Sequence, residues 1–209
     1  MESKSSSTEK RISYKFKKEI IIGWFNSFKK DESAIGELSN IIFKSSLDCA
    51  EALKNYLDDS TEKERQEKWI YVLFEFIYFF MHMANRIAFG KLGNERRIKL
   101  QDELAPLIID PTIKSLFGHW PQKSKERIKS DFCEKLNDTE IEYSDCKELL
   151  SKDNPFSDKA LFSKLAKNVA ELSGHPNNPE MLIQIITLSV NAWKNMKLEE
   201  LVDAIGKEL

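Results

Sequence analysis

WIYVLFEFIYFFMHMANRIAF, residues Trp69–Phe89, is the stretch that decides the fold of this 209-residue chain. Apolar residues fill most of its helical wheel, which predicts a helix covered by protein on most sides. Thr61 and Glu64 precede it with the spacing of a capping box, and Gly90 follows as a helix-ending residue. We therefore predict one long central helix from residue 62 to residue 89.

The same stretch raises the question of a membrane span. Its most apolar part, Trp69–Ala84, has 16 residues and contains Glu75 and His82. A span needs about 20 apolar residues, and an ionised side chain at its centre is costly. The mean hydropathy of the whole chain is −0.46. We therefore predict no transmembrane span and a helix buried among other helices of a soluble protein.

The composition favours helices joined by short connections. Only 7 Gly and 6 Pro are present, too few for the many tight turns of a sandwich or barrel, while 13 Phe, 4 Trp and 5 Tyr supply a core. Apolar periodicity also marks Met181–Met196 as a second core helix. The predicted fold class is all-α, a multi-helix bundle of about seven or eight helices around the central apolar helix.

The predicted domain organisation is simple. Residues 1–11 are polar and are expected to form a disordered tail, and 12–209 a single helical domain with a candidate subdomain edge near 131–153. Within that domain Pro106 predicts a helix break or kink, and Asp110-Pro111 a new helix start. A further hinge is expected near residues 137–138.

Residues 12–30 form an amphipathic pattern. Phe16, Ile20, Trp24 and Phe28 recur at every fourth position, which is one stripe of a helix. Lysines occupy other positions of the same segment. The pattern favours a helix that packs onto the bundle, and the alternative is a helix that docks on an anionic membrane surface.

The net charge of −2 is unevenly distributed. Residues 1–30 carry eight Lys/Arg against three Asp/Glu, whereas residues 131–209 carry nine against fifteen. This asymmetry suits a protein partner or self-association as a homodimer. A nucleic-acid-binding domain usually has a stronger basic excess, so we predict no nucleic-acid partner. The three cysteines have no CxxC spacing, which indicates reduced thiols and a cytoplasmic location.

One narrow polar stripe runs along the central helix. It comprises Lys68, Tyr71, Glu75, Tyr78, His82, Asn85 and Arg86, within about one-third of the helical wheel. The stripe continues toward a charged helix start, which favours a thin solvent-facing strip. The alternative is an interior polar site in which Glu75, Tyr78, His82 and Arg86 bind a small polar or anionic molecule.

Sequence signatures of metal and cofactor chemistry are lacking. None of the three histidines has a glutamate three residues before it, as the di-metal bundles require, and no HExxH or Cys/His pair occurs. No nucleophile elbow or glycine-rich dinucleotide fingerprint is present. We predict no metal and no cofactor, and the sequence leaves enzymatic activity open.

These observations give three functional hypotheses. The first is a cytoplasmic, non-enzymatic helical protein that acts through protein–protein contact or regulation. The second is a small-molecule-binding or enzymatic bundle that uses Glu75, Tyr78, His82 and Arg86. The third is a peripheral membrane protein that docks through the N-terminal amphipathic helix.

Overall fold

The computed structural model describes residues 33–57 and 61–209, and within these ranges the chain forms seven α-helices and no strand. The helices are α1 (Ala34–Leu53), α2 (Glu62–Leu92), α3 (Asn94–Phe117), α4 (Gln122–Ser144), α5 (Leu161–Leu172), α6 (Pro179–Met196) and α7 (Leu198–Glu208). A short 3₁₀ turn, Lys54–Tyr56, follows α1. The predicted all-α, multi-helix bundle is confirmed.

α2 is the central helix of the bundle. It packs against α1, α3, α4, α5 and α7, and every residue from Val72 to Asn85 is buried. A helix surrounded in this way needs apolar residues on all sides, which explains the composition of the stretch. The prediction of a central apolar helix is confirmed, and one apolar cluster joins buried residues of all seven helices.

By length and hydropathy, α2 is also the one helix of the described ranges that matches a membrane span. The other helices cover 83% of its most apolar window. Such burial is what the core helix of a soluble bundle requires, and no clear transmembrane span emerges.

The two ends of α2 test the predicted boundaries. The backbone N–H of Glu64 donates to Oγ1 of Thr61 at 3.2 Å, as the capping box requires. The predicted end at Gly90 is wrong, because the helix continues to Leu92 and ends at Gly93, whose φ is +81°. α7 stabilises the added turn, since Lys91 Nζ lies 2.7 Å from Asp203 Oδ2.

Three predicted interruptions are wrong, namely a helix break at Pro106, a helix start at Asp110-Pro111 and a hinge near residues 137–138, whereas a kink at Pro106 stays a prediction. α3 runs without a break through Pro106 and Pro111, and α4 runs through residues 137–138. Pro106 is exposed and Pro111 is half-buried, so the carbonyls that lose an N–H partner lie where water can reach them. A helix tolerates proline best under these conditions, because solvent replaces the missing hydrogen bond.

Four expectations are not tested by this structure. The predicted tail over 1–11 and the amphipathic helix over 12–30 lie outside the described residues. The single domain over 12–209 and its candidate edge near 131–153 stay predictions.

Candidate functional site

The middle of the polar stripe lies in the protein interior. Glu75, Tyr78 and His82 are each only 4% exposed, whereas Tyr71 is 59% exposed and Arg86 is exposed at the end of the stripe. The interpretation as a solvent-facing strip therefore does not hold for its middle. The reason is tertiary: α4 and α5 pack over this side of α2.

Glu75 lies at the centre of a buried group of hydrogen bonds. The phenol of Tyr143, on α4, donates to Oε1 of Glu75 at 2.6 Å, and Nδ2 of Asn168, on α5, donates to the same oxygen at 2.9 Å. Burial, followed by the nearby Glu75, raises the pKa of Tyr143 well above its usual range, so Tyr143 remains a donor. Three helices are thus joined at one carboxyl group.

This group continues outward from the core. Asn168 Nδ2 also lies 3.3 Å from Oε1 of Glu142, and Lys164 Nζ lies 2.7 Å from the same oxygen. The hydrogen bond that Lys164 donates to Glu142 raises the pKa of Lys164. We call Glu75, Tyr143, Asn168, Glu142 and Lys164 the Glu75 cluster. It connects a buried carboxyl group to a partly exposed ammonium group through side chains alone.

A second polar group lies further along α2. Nδ1 of His82 is 3.1 Å from Oε2 of Glu140, and Nδ2 of Asn85 donates to the same oxygen at 2.8 Å. Because a carboxylate only accepts, Nδ1 is the donor nitrogen of the imidazole. We call these three residues the His82 cluster. Three of its buried atoms have no hydrogen-bond partner among the described residues, namely His82 Nε2, Asn85 Oδ1 and Glu140 Oε1.

The remaining two predicted site residues have separate roles. The ring of Tyr78 packs against Phe132 with centroids 4.8 Å apart, and burial raises its pKa above the ordinary value. Arg86 donates to the carbonyls of Cys146 and Lys147 at 2.9 and 3.3 Å, which fixes the chain after α4 onto α2.

The four predicted residues therefore do not converge on one pocket. Glu75 and His82 share a neighbour, because the hydroxyl of Tyr143 bonds Glu75 and its ring lies 5.5 Å from the imidazole. Tyr78 faces an aromatic neighbour, and Arg86 binds backbone. These contacts are typical of side chains that hold helices together.

Sequence reasoning missed the partners of the stripe. Tyr143, Glu140 and Asn168 lie on other helices, and nothing in their local sequence marks them as partners of α2. One usable signal was the buried stripe of α4, which is Phe132, Leu136, Thr139 and Tyr143. Its spacing of four, three and four residues in an otherwise charged helix marks the side that packs on the core.

Among the cavities lined by residues 33–57 and 61–209, two flank this architecture. A small one, with room for about one water molecule, lies beside the His82 cluster and is lined by Asn85, Glu140, Leu100 and Leu104 among others. A larger one, of about 830 Å³ including its open mouth, is a groove between α1 and α6. We call it the α1–α6 groove. Its walls include Ile41, Ser45 and Asp48 of α1 and Leu188, Ala192 and Met196 of α6.

Metal binding finds no support in the described ranges, where no group of three or more His, Cys, Asp or Glu side chains is placed to hold an ion. The predicted membrane-docking face over 12–30 lies outside those ranges.

Comparison with known proteins adds no assignment: no protein-family model, no curated protein and no solved structure matches this chain.

Proposed function

We propose that this chain is a non-enzymatic helical protein that binds another protein, and that the α1–α6 groove receives an amphipathic helix of that partner. The residues that line the groove support this proposal. Its lining combines apolar Ile41, Leu188 and Ala192 with the exposed charged residues Lys44 and Asp48. Apolar anchors inside a groove with charges at the edge are typical of helix-in-groove recognition.

The size of the lining side chains supports a helical ligand. Ser45 and Ala192, from opposite walls, are small, so a guest backbone can approach closely while its larger side chains fill the space between α1 and α6. Ile41 and Leu188 are only partly buried by the rest of the protein. They therefore retain apolar surface whose burial would favour binding by about 25 cal/mol per Å².

The interior polar residues support a non-enzymatic role. Glu75 accepts hydrogen bonds from Tyr143 and Asn168 and is closed off from solvent. A carboxyl group occupied in this way holds helices together, and a substrate would have to displace both donors. Cys49, the thiol in the groove wall, has its pKa raised to about 12, mainly by burial, so it is a poor nucleophile at neutral pH.

The proposed location is the cytoplasm. Cys49, Cys133 and Cys146 are all free thiols. Reduced cysteines are the usual state in that compartment, whereas secreted proteins tend to pair them.

Site-specific photocrosslinking tests the proposed function. A benzophenone side chain at Leu188 is compared with one at Ile141, which is exposed on α4. We expect a partner protein to crosslink at position 188 but not at position 141. The purified partner should bind the Ala192→Glu variant at least about tenfold more weakly than it binds wild type. Equal affinity of the partner for wild type and Ala192→Glu would overturn the proposal. Crosslinking of a second copy of this chain would identify self-association.

A small-molecule function is the second candidate, and one observation favours it. Asn85 Oδ1 and Glu140 Oε1 are buried and unpartnered within the described chain, and both residues line the small cavity beside the His82 cluster. We propose that a ligand here donates hydrogen bonds to these two oxygens and that the lining side chains, Gln101 among them, move apart to admit it, because the cavity alone has room for about one water molecule. Native mass spectrometry of the purified protein tests this: a retained mass that Gln101→Leu removes supports it, and the bare chain mass contradicts it.

A further inference from the structure

We propose that the turn between α3 and α4 docks on an anionic phospholipid surface, through Trp120 and the basic residues Lys114, Lys123, Lys125 and Arg127. We call these five residues the Trp120 patch. The inference goes beyond the proposed function, because the α1–α6 groove is built from two other helices. It is carried by the uneven charge of α4, by cations without an acidic partner and by one exposed indole.

The charge of α4 changes sign along its length. Residues 111–130, which include the start of this helix, contain five Lys/Arg and one Asp/Glu, whereas residues 131–150 contain two Lys/Arg and seven Asp/Glu. α4 has 23 residues and is about 34 Å long. An anionic surface therefore attracts the start of α4 and repels its end, which directs the α3–α4 turn toward that surface.

Three lysines of the patch have no acidic partner. Lys114 lies in the last turn of α3, and Lys123 and Lys125 lie in the first turn of α4, so the turn over 118–121 brings all three to one end of the helix pair. No carboxylate oxygen of the described residues lies within 4 Å of their ammonium groups. Lys129 differs, because its ammonium group lies 2.7 Å from Oδ1 of Asp110. The three unpaired charges are available to an anionic ligand.

Arg127 adds a fourth cation that faces outward. Its one ion pair, with Asp131 at 3.9 Å, joins side chains that are 85% and 65% exposed, and such a pair is weak. Arg127 follows Lys123 by four residues, so both lie on the same side of α4. That side is opposite the stripe of Phe132 and Leu136, which packs on the core.

Trp120 supplies an interfacial anchor. Its backbone N–H donates to the carbonyl of Phe117 at 2.9 Å, and its ring packs edge-on against the ring of Phe117 with centroids 5.1 Å apart. These contacts hold the side chain at the turn, yet it is 42% exposed. An indole with one apolar and one polar edge favours the headgroup region of a bilayer.

The composition of the patch favours a lipid surface over a protein or a nucleic acid. A protein interface needs an apolar core of several side chains, and within residues 111–130 Trp120 is the one large apolar side chain left exposed. A nucleic-acid-binding domain usually has a large basic excess, whereas this chain has a net charge of −2. Several cations beside one anchor are sufficient for anionic lipid, which is abundant on the cytoplasmic side of membranes.

Vesicle co-sedimentation of the full-length chain tests the proposal. Phosphatidylcholine vesicles with and without phosphatidylserine are compared for wild type and for the double variant Lys114→Gln, Lys123→Gln. The matched control is Lys147→Gln, Lys152→Gln, which removes the same charge beyond the opposite end of α4. All four lysines are exposed, so neither variant changes the core. Residues 1–30 are the same in every chain, so their contribution to binding cancels in the comparison.

We expect Lys114→Gln, Lys123→Gln to bind the phosphatidylserine vesicles about thirtyfold more weakly than wild type, because each lysine near such a surface contributes roughly a factor of five. The control should stay within about threefold of wild type, because its lysines lie farther from the surface than the screening length. Equal losses in the two variants, or no binding by wild type, would overturn the proposal. Binding of wild type to polyglutamate or to a single-stranded oligonucleotide, but not to vesicles, would also overturn it.

Tryptophan quenching by brominated phosphatidylcholine tests the anchor separately. Trp120→Phe retains an aromatic ring beside Phe117 but removes the indole from the turn. Most of the quenching that the phosphatidylserine vesicles cause in wild type should disappear in this variant. If the quenching is unchanged, a different tryptophan enters the bilayer, and docking through the Trp120 patch is wrong.

Discussion

The phenolic oxygen of Tyr143 lies 2.6 Å from Oε1 of Glu75, and both side chains are buried. This contact joins α4, whose surface is mostly charged, to the apolar centre of α2. Because a buried carboxyl group without donors is strongly unfavourable, the hydroxyl of Tyr143 and the amide of Asn168 make the position of Glu75 tolerable.

Removing the hydroxyl tests this contact most directly. Tyr143→Phe keeps the ring packed against Phe79 but takes one of the two described donors from Glu75. We expect the free energy of unfolding to fall by about 1–3 kcal/mol, the usual effect of taking a hydrogen-bond donor from a buried acceptor. Urea denaturation monitored by circular dichroism measures it.

Tyr71→Phe is the matched control for that substitution. Tyr71 lies on the same helix as Glu75 but is 59% exposed, so loss of its hydroxyl should change stability by less than about 0.5 kcal/mol. If both variants lose the same amount, the hydroxyl of Tyr143 contributes nothing specific.

The thiol of Cys49 predicts a loss of stability at alkaline pH. Burial raises its pKa from 9.0 to about 12, so above pH 9 the unfolded chain releases this proton while the folded chain keeps it. The unfolded state then binds fewer protons, and stability falls by about 1.4 kcal/mol per pH unit for this group. The raised pKa of Tyr143 adds a further loss above pH 10.

Cys49→Ala isolates the contribution of the thiol. In urea unfolding under reducing conditions, the stability advantage of wild type over this variant should be constant up to about pH 8 and should shrink above pH 9. If the stability difference between wild type and Cys49→Ala stays constant from pH 7 to pH 10.5, the thiol ionises equally in the folded and unfolded states.

The pair His82 and Glu140 predicts a measurable coupling energy. Nδ1 of His82 lies 3.1 Å from Oε2 of Glu140, and the imidazole is buried. Because the surroundings have a low dielectric constant, replacing either residue removes a strong interaction from the other. A double-mutant cycle with His82→Leu and Glu140→Leu should give about 1–3 kcal/mol. Lys63 and Glu67, an exposed pair at 3.8 Å, are the control and should give below about 0.5 kcal/mol. Equal couplings would contradict the role assigned to burial.

Local sequence patterns predicted the helical elements well because those patterns act within one helix. The apolar stretch around Phe76 and the cap at Thr61 needed no knowledge of neighbouring helices. Predicting the surroundings of the polar stripe did require knowledge of the neighbouring helices. Whether Glu75 faces water or protein depends on Tyr143, 68 residues away, and on the packing of α4 and α5. No periodicity within α2 contains that information.

The end of α2 was predicted wrongly at Gly90 for the same reason, because contacts with another helix decide it. A glycine after an apolar run is the usual helix end, and the sequence offered two of them, Gly90 and Gly93. Which one ends α2 is decided by α7: Asp203 binds Lys91, and Leu92 packs so closely on Gly206 that a Cβ there would lie 2.5 Å from it. These contacts support one further turn beyond Gly90.

Alanine at each of these two glycines should therefore have opposite effects. Gly90 lies inside α2 with open space around it, so Gly90→Ala should stabilise the protein by about 0.5–1 kcal/mol through lower backbone entropy of the unfolded chain. Gly93 has φ +81° and ψ 174°, a region almost restricted to glycine, so Gly93→Ala should destabilise by about 1–3 kcal/mol. Thermal and urea unfolding of both variants measure the signs. If Gly90→Ala proves the destabilising one, α2 ends where the sequence first suggested, and the contacts of Lys91 and Leu92 with α7 do not form.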